Sequence, residues 1–237
     1  MRRTLILLAA AVAALPSAAS ATTIPVLEDV MTSAFFQGTN LVRGYDIDDR
    51  PPHRVASDNA FGAGPETVYL TFDPSLFAPL GSSAPQAILS VESVAGGFGA
   101  EASPANPFQM SAHGVALDPL ASITDDTNPA GPIAWTDFFA NQILPASGLA
   151  TTVVSGTGTL KFDVTEVVND WLSGANSVFA LALTGKNDTL SDGNVLHGVA
   201  NNSETPGVSH FISIVPEPSA LTLVVVSLVA GVVRRRR

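Results

Sequence analysis

The fold is decided by the stretch LKFDVTEVVNDWLSGANSVFALALT, residues 160–184. Its first and last parts alternate large apolar residues with polar or small ones, a period of two that is typical of β-strands. Between them, Asp163 to Gly174 carries apolar residues at the i, i+3, i+4, i+7 and i+8 positions of one helical face. The stretch therefore predicts a strand, a short amphipathic helix and a second strand.

The apolar face of this helix consists of Val164, Val167, Val168, Trp171 and Leu172. Asp163, with Glu166 three residues later, has the spacing of a capping box, and Gly174 is a suitable C-terminal stop. Because Trp171 lies on the apolar face, we expect it to be the largest buried group of the helix. A sugar-stacking platform is the functional alternative for this side chain.

Further strands are predicted on both sides of this stretch. Val68, Leu70 and Phe72 alternate with Tyr69, Thr71 and Asp73, and Ile212 and Ile214 share one face near the end of the chain. Ala87 to Val94 and Phe108 to Leu117 are weaker candidates. Many short strands separated by Gly, Pro, Asn and Asp clusters indicate an all-β domain, a jelly-roll-like antiparallel β-sandwich with one short amphipathic helix.

The amino-terminal segment has the three parts of a secretory signal. Arg2 and Arg3 form the positive region, and Leu5 to Leu15 is an apolar run too short to span a bilayer comfortably. Ala19-Ser20-Ala21 is a small-x-small cleavage site. We therefore expect a signal peptide over residues 1–21, exported through the Sec translocon, and a mature protein that begins at Thr22. A retained membrane anchor or a buried helix is the alternative.

The carboxy-terminal segment also has three parts. It reads Val215-Pro216-Glu217-Pro218, then an uncharged apolar stretch from Ala220 to Val233, then Arg234, Arg235, Arg236 and Arg237. Two prolines around one glutamate cannot continue a helix or strand, so the motif is expected to be extended and exposed. The apolar stretch predicts a short transmembrane helix, and the arginines would hold its end in the cytoplasm. A plain tail anchor is the alternative, although about 20 apolar residues would suit it better.

This tail, residues 215–237, resembles the PEP-CTERM sorting signal of Gram-negative bacteria in all three parts. The resemblance implies that an exosortase recognises it in a precursor anchored in the inner membrane. It also implies processing near Pro216–Pro218 and delivery to the cell surface or to the exopolysaccharide of a biofilm matrix. On this interpretation the motif is a substrate for another enzyme, and the chain has no catalytic residue there.

Charge is divided between the ends and the body of the chain. The formal net charge is −10, but six of the 11 cationic residues belong to the two terminal segments. Residues 22–214 hold five cations against 20 carboxylates, a formal charge of −15. Nucleic-acid binding is disfavoured, because phosphate recognition needs clustered cations. The absence of cysteine excludes disulfides, Cys-ligated zinc, iron–sulfur clusters and a thiol nucleophile.

Calcium is the one inorganic partner that the sequence suggests, and no other cofactor is expected. Asp46, Asp48 and Asp49 offer closely spaced carboxylate oxygens, and Asp125, Asp126 and Asn128 offer a second set. Neither set has the full spacing of an EF-hand loop. Solvated turn carboxylates are the simpler interpretation of both clusters.

The interior segments resemble DNRLRE-type β-sandwich domains. The similarity rests on Tyr69–Leu76, Ala87–Val91, Phe162–Gly174, Phe179–Leu183, Asn202–Pro206 and His210–Ile214. It implies an extracellular, jelly-roll-like domain over residues 22–214 that acts as an adhesive or carbohydrate-binding accessory module. The chain departs from the family pattern in being poor in arginine, and Ala95 to Ala150 matches little of it.

Three functional hypotheses follow from the sequence. The first is a non-enzymatic surface or matrix protein that associates with exopolysaccharide. The second is a lectin-like module with a defined glycan site, and the third is a hydrolase acting on polysaccharides. Common catalytic motifs are missing, and His53, His113, His197 and His210 are isolated in sequence. A carboxylate pair needs no local motif, so the hydrolase stays open at this point.

Overall fold

The computed structural model describes residues 21–33, 41–43, 53–56, 66–94, 102–105, 107–123, 133, 135–144, 150–186, 196–200 and 209–215. These residues contain twelve β-strands, three α-helices and two short 3₁₀ turns. The strands are β1 Thr22–Pro25, β2 Glu28–Ser33, β3 Leu41–Arg43, β4 His53–Ala56, β5 Glu66–Thr71, β6 Gln86–Val94, β7 Phe108–Gly114, β8 Ala150–Val154, β9 Gly158–Asp163, β10 Ala180–Lys186, β11 Leu196–Val199 and β12 Phe211–Val215. The helices are α1 Pro119–Ser122, α2 Trp135–Gln142 and α3 Thr165–Ser173, and the turns are Pro74–Leu76 and Ala78–Leu80.

The strands form two antiparallel sheets. The first has the order β3–β2–β5–β10–β7–β8. The second has the order β1–β12–β6–β9. β11 pairs with the far end of β6 and with β4, and β4 meets β5 through the pair Ala56–Glu66, which links the two sheets. The prediction of a mostly β, antiparallel fold is confirmed.

The predicted strands lie where the alternation placed them. The segment Leu160–Val164 corresponds to β9, in which Leu160 and Phe162 point inward while Thr159, Lys161 and Asp163 are exposed. The two weaker candidates are β6 and β7. Period-two alternation located these strands because every second side chain of an extended strand points to the same face of the sheet, here the buried one.

One hydrophobic core receives side chains from both sheets. The first sheet contributes, among others, Met31, Val68, Leu70, Met110 and Leu181, and the second contributes Ile24, Leu89, Val91, Phe162 and Ile212. All of these side chains are buried. Burial of apolar area on this scale is the main favourable contribution to the folding free energy.

Helix α3 covers one end of this core, as its apolar face predicts. Val167, Val168 and Trp171 are buried, and Gly174 ends the helix in the left-handed conformation with φ 79°. A glycine suits this position because it has no Cβ to clash there. The predicted position and apolar face of the helix are therefore confirmed.

The predicted capping box at the start of α3 is wrong. The N-cap position is Val164, which has no side-chain acceptor. Val164 donates its N–H to the carbonyl of Ala87 at 2.9 Å, so its main chain is still bonded to β6 where the helix begins. Asp163 instead accepts hydrogen bonds from the N–H of Thr165 at 3.1 Å and from its hydroxyl at 2.5 Å.

Two polar side chains attach α3 to the segment that enters β6. The carboxamide of Asn169 accepts from the N–H of Ala84 at 2.7 Å and donates to the carbonyl of the same residue at 3.2 Å. The Thr165 hydroxyl accepts from the N–H of Ala87 at 2.9 Å. Both side chains thus satisfy main-chain groups of residues that are themselves buried.

Trp171 lies at the centre of an aromatic cluster. Its ring centroid is 5.7 Å from that of Phe72, 5.4 Å from that of Phe77 and 5.3 Å from that of Phe179. Trp171 is 3% exposed, so no sugar ring can stack on it in this fold. The prediction of a core role is confirmed, and the alternative of a sugar platform is wrong for this residue.

The outer face of the first sheet is covered by a second apolar cluster. It contains Val30, Tyr69, Val115, Ile123, Phe138, Ala180 and Ala182. Phe138 of α2 contacts Tyr69 of β5 edge to face, with ring centroids 5.5 Å apart. Since α2 is a helix in addition to α3, the prediction of one short helix is wrong. The small side chains of Ala180 and Ala182 leave room on β10 for this extra layer, because buried groups must pack without voids.

We expect Asn169→Ala to destabilise the domain by about 1–3 kcal/mol, because it leaves two buried main-chain groups of Ala84 without their partner. Urea unfolding of the mature protein measures the free energy of unfolding. Glu166→Ala, on the exposed side of the same helix, is the matched control and should change that energy by less than about 0.5 kcal/mol. Equal losses in the two variants would contradict the role given to Asn169.

Candidate functional site

The start of β1 and the end of β12 lie side by side at one end of the second sheet. The two strands pair antiparallel, with Thr22 opposite Ile214 and Pro25 opposite Phe211. Neighbouring strands in a sheet are about 4.8 Å apart. We call this place the terminal corner, because both predicted processing sites meet it: Ala21 directly precedes β1, and Val215 is the last residue of β12.

β1 is fixed at the terminal corner by both side chains and main chain. Ile24 is 1% exposed and Val26 is 5% exposed, and both belong to the main core. The N–H of Val26 donates to the carbonyl of His210 at 2.9 Å, and that of Leu27 donates to the carbonyl of Thr71 at 2.8 Å. In contrast, Ala21, Thr22 and Thr23 have exposed side chains.

Most of the predicted processing residues lie outside the described residues. This applies to Ala19, to Pro216, Glu217 and Pro218, and to Arg234, Arg235, Arg236 and Arg237. Ala21 is exposed, and Val215 is 38% exposed while its main chain pairs with Gln86. In the described part of the chain, no helix has the length and apolarity needed to cross a membrane.

The predicted calcium ligands also fall outside the described residues. Asp46, Asp48 and Asp49 lie between β3 and β4 in the chain, and Asp125, Asp126 and Asn128 follow α1. Across the described ranges, no group of three or more His, Asp or Glu side chains is arranged to hold a metal ion. Calcium binding therefore stays a prediction.

A second candidate site lies inside the fold, where titratable side chains share the inner faces of the strands with apolar ones. This inner polar set consists of Asp29, His53, Glu66, His197 and His210, and all of them are buried. Each lies two residues from a core residue, respectively Met31, Val55, Val68, Val199 and Ile212. Positions i and i+2 of an extended chain point to the same side of the sheet, so the set borders the main core.

His53 and Asp29 lie next to each other within this set. The Nε2 atom of His53 is 3.5 Å from the Oδ2 atom of Asp29, and both side chains are almost fully buried. Burial lowers the pKa of His53 below its usual value of 6.5, because desolvation disfavours the imidazolium. The nearby carboxylate of Asp29 opposes this shift without reversing it.

His210 acts as a main-chain connector. Its Nδ1 atom accepts from the N–H of Glu92 at 3.2 Å, and its Nε2 atom lies 2.6 Å from the carbonyl oxygen of Ala200. A carbonyl can only accept, so Nε2 carries the proton and donates. The ring therefore joins β6 to the residue that follows β11.

Ser93 and His197 have the distance of a nucleophile and its general base but lack access to solvent. The Ser93 Oγ atom is 3.1 Å from His197 Nε2, and it donates to the carbonyl of Gly156 at 3.3 Å. Ser93 is 1% exposed and His197 is 0% exposed. A catalytic serine must reach a substrate, so this pair acts as a structural link between β6 and β11 in this conformation.

His113 is half-buried and bridges two segments. Its Nδ1 atom is 3.2 Å from the carbonyl of Leu144, and its Nε2 atom is 2.9 Å from the hydroxyl of Thr184. Burial lowers the pKa of His113, and the bond to Leu144 opposes the shift. The four histidines are isolated in sequence, but in the fold each of them contacts a residue of another strand or segment.

Sequence reasoning missed the inner polar set because a polar residue that alternates with apolar ones normally marks the solvent face. The signal that could have found the set is the in-phase spacing, as in His53-x-Val55, His197-x-Val199 and His210-x-Ile212. In each of these three, the polar residue is in phase with the apolar face instead of out of phase.

We expect the free energy of unfolding to fall as the pH is lowered from 7.5 to 5.5. The pKa of His53 and that of His113 are lowered in the folded state, so below pH 6.5 the unfolded chain binds more protons. One full proton of difference contributes about 1.4 kcal/mol per pH unit. Urea titrations at both pH values measure the effect.

His53→Gln should reduce this pH dependence, because it removes a group whose pKa is lowered in the folded state. His113→Gln is the comparison at the less buried position and should have the smaller effect. If His53→Gln left the pH dependence of stability unchanged, the lowered pKa of His53 would be refuted.

Comparison with known proteins does not identify a family for this chain. The chain matches no model of a known protein family, and no curated protein matches it.

Proposed function

We propose that the chain is an exported, non-enzymatic protein of the bacterial cell surface or extracellular matrix, sorted by an exosortase and associated with exopolysaccharide. The observation that carries the proposal is the coincidence of two kinds of boundary. β1 begins at Thr22, directly after the predicted signal-cleavage site, and β12 ends at Val215, the first residue of the sorting motif. The strands that the structure describes thus begin directly after the predicted signal-cleavage site and end at the first residue of the sorting motif.

The proposed route has two steps. The Sec translocon exports the chain by its signal peptide, residues 1–21, and the apolar stretch before Arg234 holds the precursor in the inner membrane. The exosortase then recognises Val215-Pro216-Glu217-Pro218 and releases the protein to its final place. The PEP-CTERM resemblance supports this route, and the extended character that two prolines impose on the motif is consistent with it.

The proposed domain is a jelly-roll-like β-sandwich of the DNRLRE type. Two antiparallel sheets that contribute to one core support this interpretation. The late helix α3 supports it as well, because it falls in the segment that resembles those domains. The signal helix and the transmembrane helix of the precursor belong to the same proposal.

The lectin-like and hydrolytic alternatives gain no support from the described residues. Trp171, the sugar-stacking candidate, is buried in the aromatic cluster. The Ser93–His197 pair is enclosed and engaged with a main-chain carbonyl. We therefore retain the matrix protein as the one proposed function.

We expect Glu217→Gln to leave an unprocessed, membrane-retained precursor in a host that carries an exosortase, because it removes the only charge of the sorting motif. Cell fractionation and immunoblotting measure the ratio of precursor to processed protein. Glu166→Gln is the matched control, since it neutralises an exposed glutamate of the domain and should be processed normally. Normal processing of Glu217→Gln would refute the sorting role.

We expect the association with an anionic exopolysaccharide to depend on a divalent cation. A domain of formal charge −15 repels a polyanion unless calcium bridges the two. Chelation of calcium should release the processed protein from the matrix into the medium, and restored calcium should return it. Retention that survives chelation would show that the protein is held by other contacts.

A further inference from the structure

At the terminal corner, the first residues of the predicted mature protein form a paired strand of the second sheet. Main-chain pairing with β12 begins at Thr22 and continues through Thr23 and Ile24 to Pro25. The bond that a signal peptidase would cut, between Ala21 and Thr22, therefore lies next to the paired segment without any spacer. The exposed side chains of Ala21 to Thr23 make this bond look accessible, although the main chain that follows it is engaged.

Proteases act on locally open, extended chain, and cleavage of a folded protein tracks how often the local segment opens. To bind residues on both sides of the Ala21–Thr22 bond, a peptidase must detach at least the first residues of β1. Detachment is costly here because Ile24 is 1% exposed within the main core, and the N–H of Val26 is bonded to His210. A docked β1 thus protects the bond.

The topology decides when this protection arises. Among the described strands, the one that pairs with β1 is β12, the last in the chain. About 190 residues separate the two strands, which at roughly 5–20 residues per second take on the order of 10–40 s to synthesise. Throughout that interval the one described partner strand of β1 does not yet exist, so main-chain pairing does not yet engage the residues that follow the bond.

We propose that docking of β1 onto β12 closes the amino-terminal processing site, so that the signal segment must be removed before the last strand is exported. This inference rests on the export signal of the proposed function and adds a fixed order to it. The strand that closes the first site ends at Val215, which begins the sorting motif. A chain that reaches carboxy-terminal processing has therefore already passed the window for amino-terminal cleavage.

The test uses the full precursor with its signal segment intact, purified in detergent from cells whose signal peptidase is inhibited. Purified signal peptidase is then added, and the rate of cleavage is measured. The folded wild-type precursor should be cleaved about tenfold or more slowly than a precursor with eight Gly/Ser residues inserted between Ala21 and Thr22, because the insertion moves the bond away from the sheet.

Two substitutions in β1 form a matched pair. Ile24→Asp places a carboxylate in the core and should make the bond cleavable, because β1 then no longer docks. Thr23→Asp adds the same charge at the neighbouring exposed position and should leave the bond as resistant as in the wild type. Equal cleavage rates for the wild type, the insertion and Ile24→Asp would overturn the inference.

A cross-link separates docking from general unfolding in the Ile24→Asp precursor. Thr23 and Ser213 are directly opposite each other, a separation that a disulfide can bridge, and the chain has no other cysteine. With Thr23→Cys and Ser213→Cys added, the oxidised chain should resist cleavage and the reduced chain should be cleaved. Identical rates in the two redox states would refute protection by docking.

Failure of the inference and failure of the proposed function give different results. Pulse-labelled wild-type protein from growing cells should begin at Thr22 when its amino terminus is sequenced. If it does not, the proposed export signal is wrong. If it does, and the folded precursor is nevertheless cleaved as fast as the insertion variant, only the protection by β1 is wrong.

Discussion

Burial of apolar side chains between the two sheets has to hold this chain together, because no cysteine is present to cross-link distant strands. Each sheet pairs strands that are far apart in the chain, as β1 with β12 and β2 with β5 show. The loss of chain entropy on such pairing is recovered only when the inner faces meet. Helix α3 depends on the same core, since Val167, Val168 and Trp171 are buried in it.

The parts of the fold that follow from local periodicity could be predicted from the sequence. β9, α3 and β10 each repeat a pattern over several residues, and one face of each meets the main core. The second apolar cluster could not be predicted in this way. Ala180 and Ala182 are compatible with a solvent face and with a closely packed one, and only the distant segment that contains Phe138 decides between them.

The candidate sites divide along a similar line. The proposed processing segments could be predicted from the sequence alone because the prediction rests on composition, with charges, apolar runs and prolines in a fixed order. The inner polar set was missed because its members come from strands that are distant in sequence, as with Asp29 and His53. Hydrogen bonds such as those of His210 to Glu92 and Ala200 offset the cost of removing a polar ring from water. The partners in these bonds cannot be predicted from a local sequence pattern.

The adjacency of Thr22 and Ile214 has a consequence for how this domain can be rearranged. Because its two ends lie on neighbouring strands, a short linker could join them, and new ends could be opened in a surface turn by circular permutation. For the same reason the domain could be inserted into a loop of another protein, because its two connections to that loop would lie side by side. Its architecture is that of a portable module.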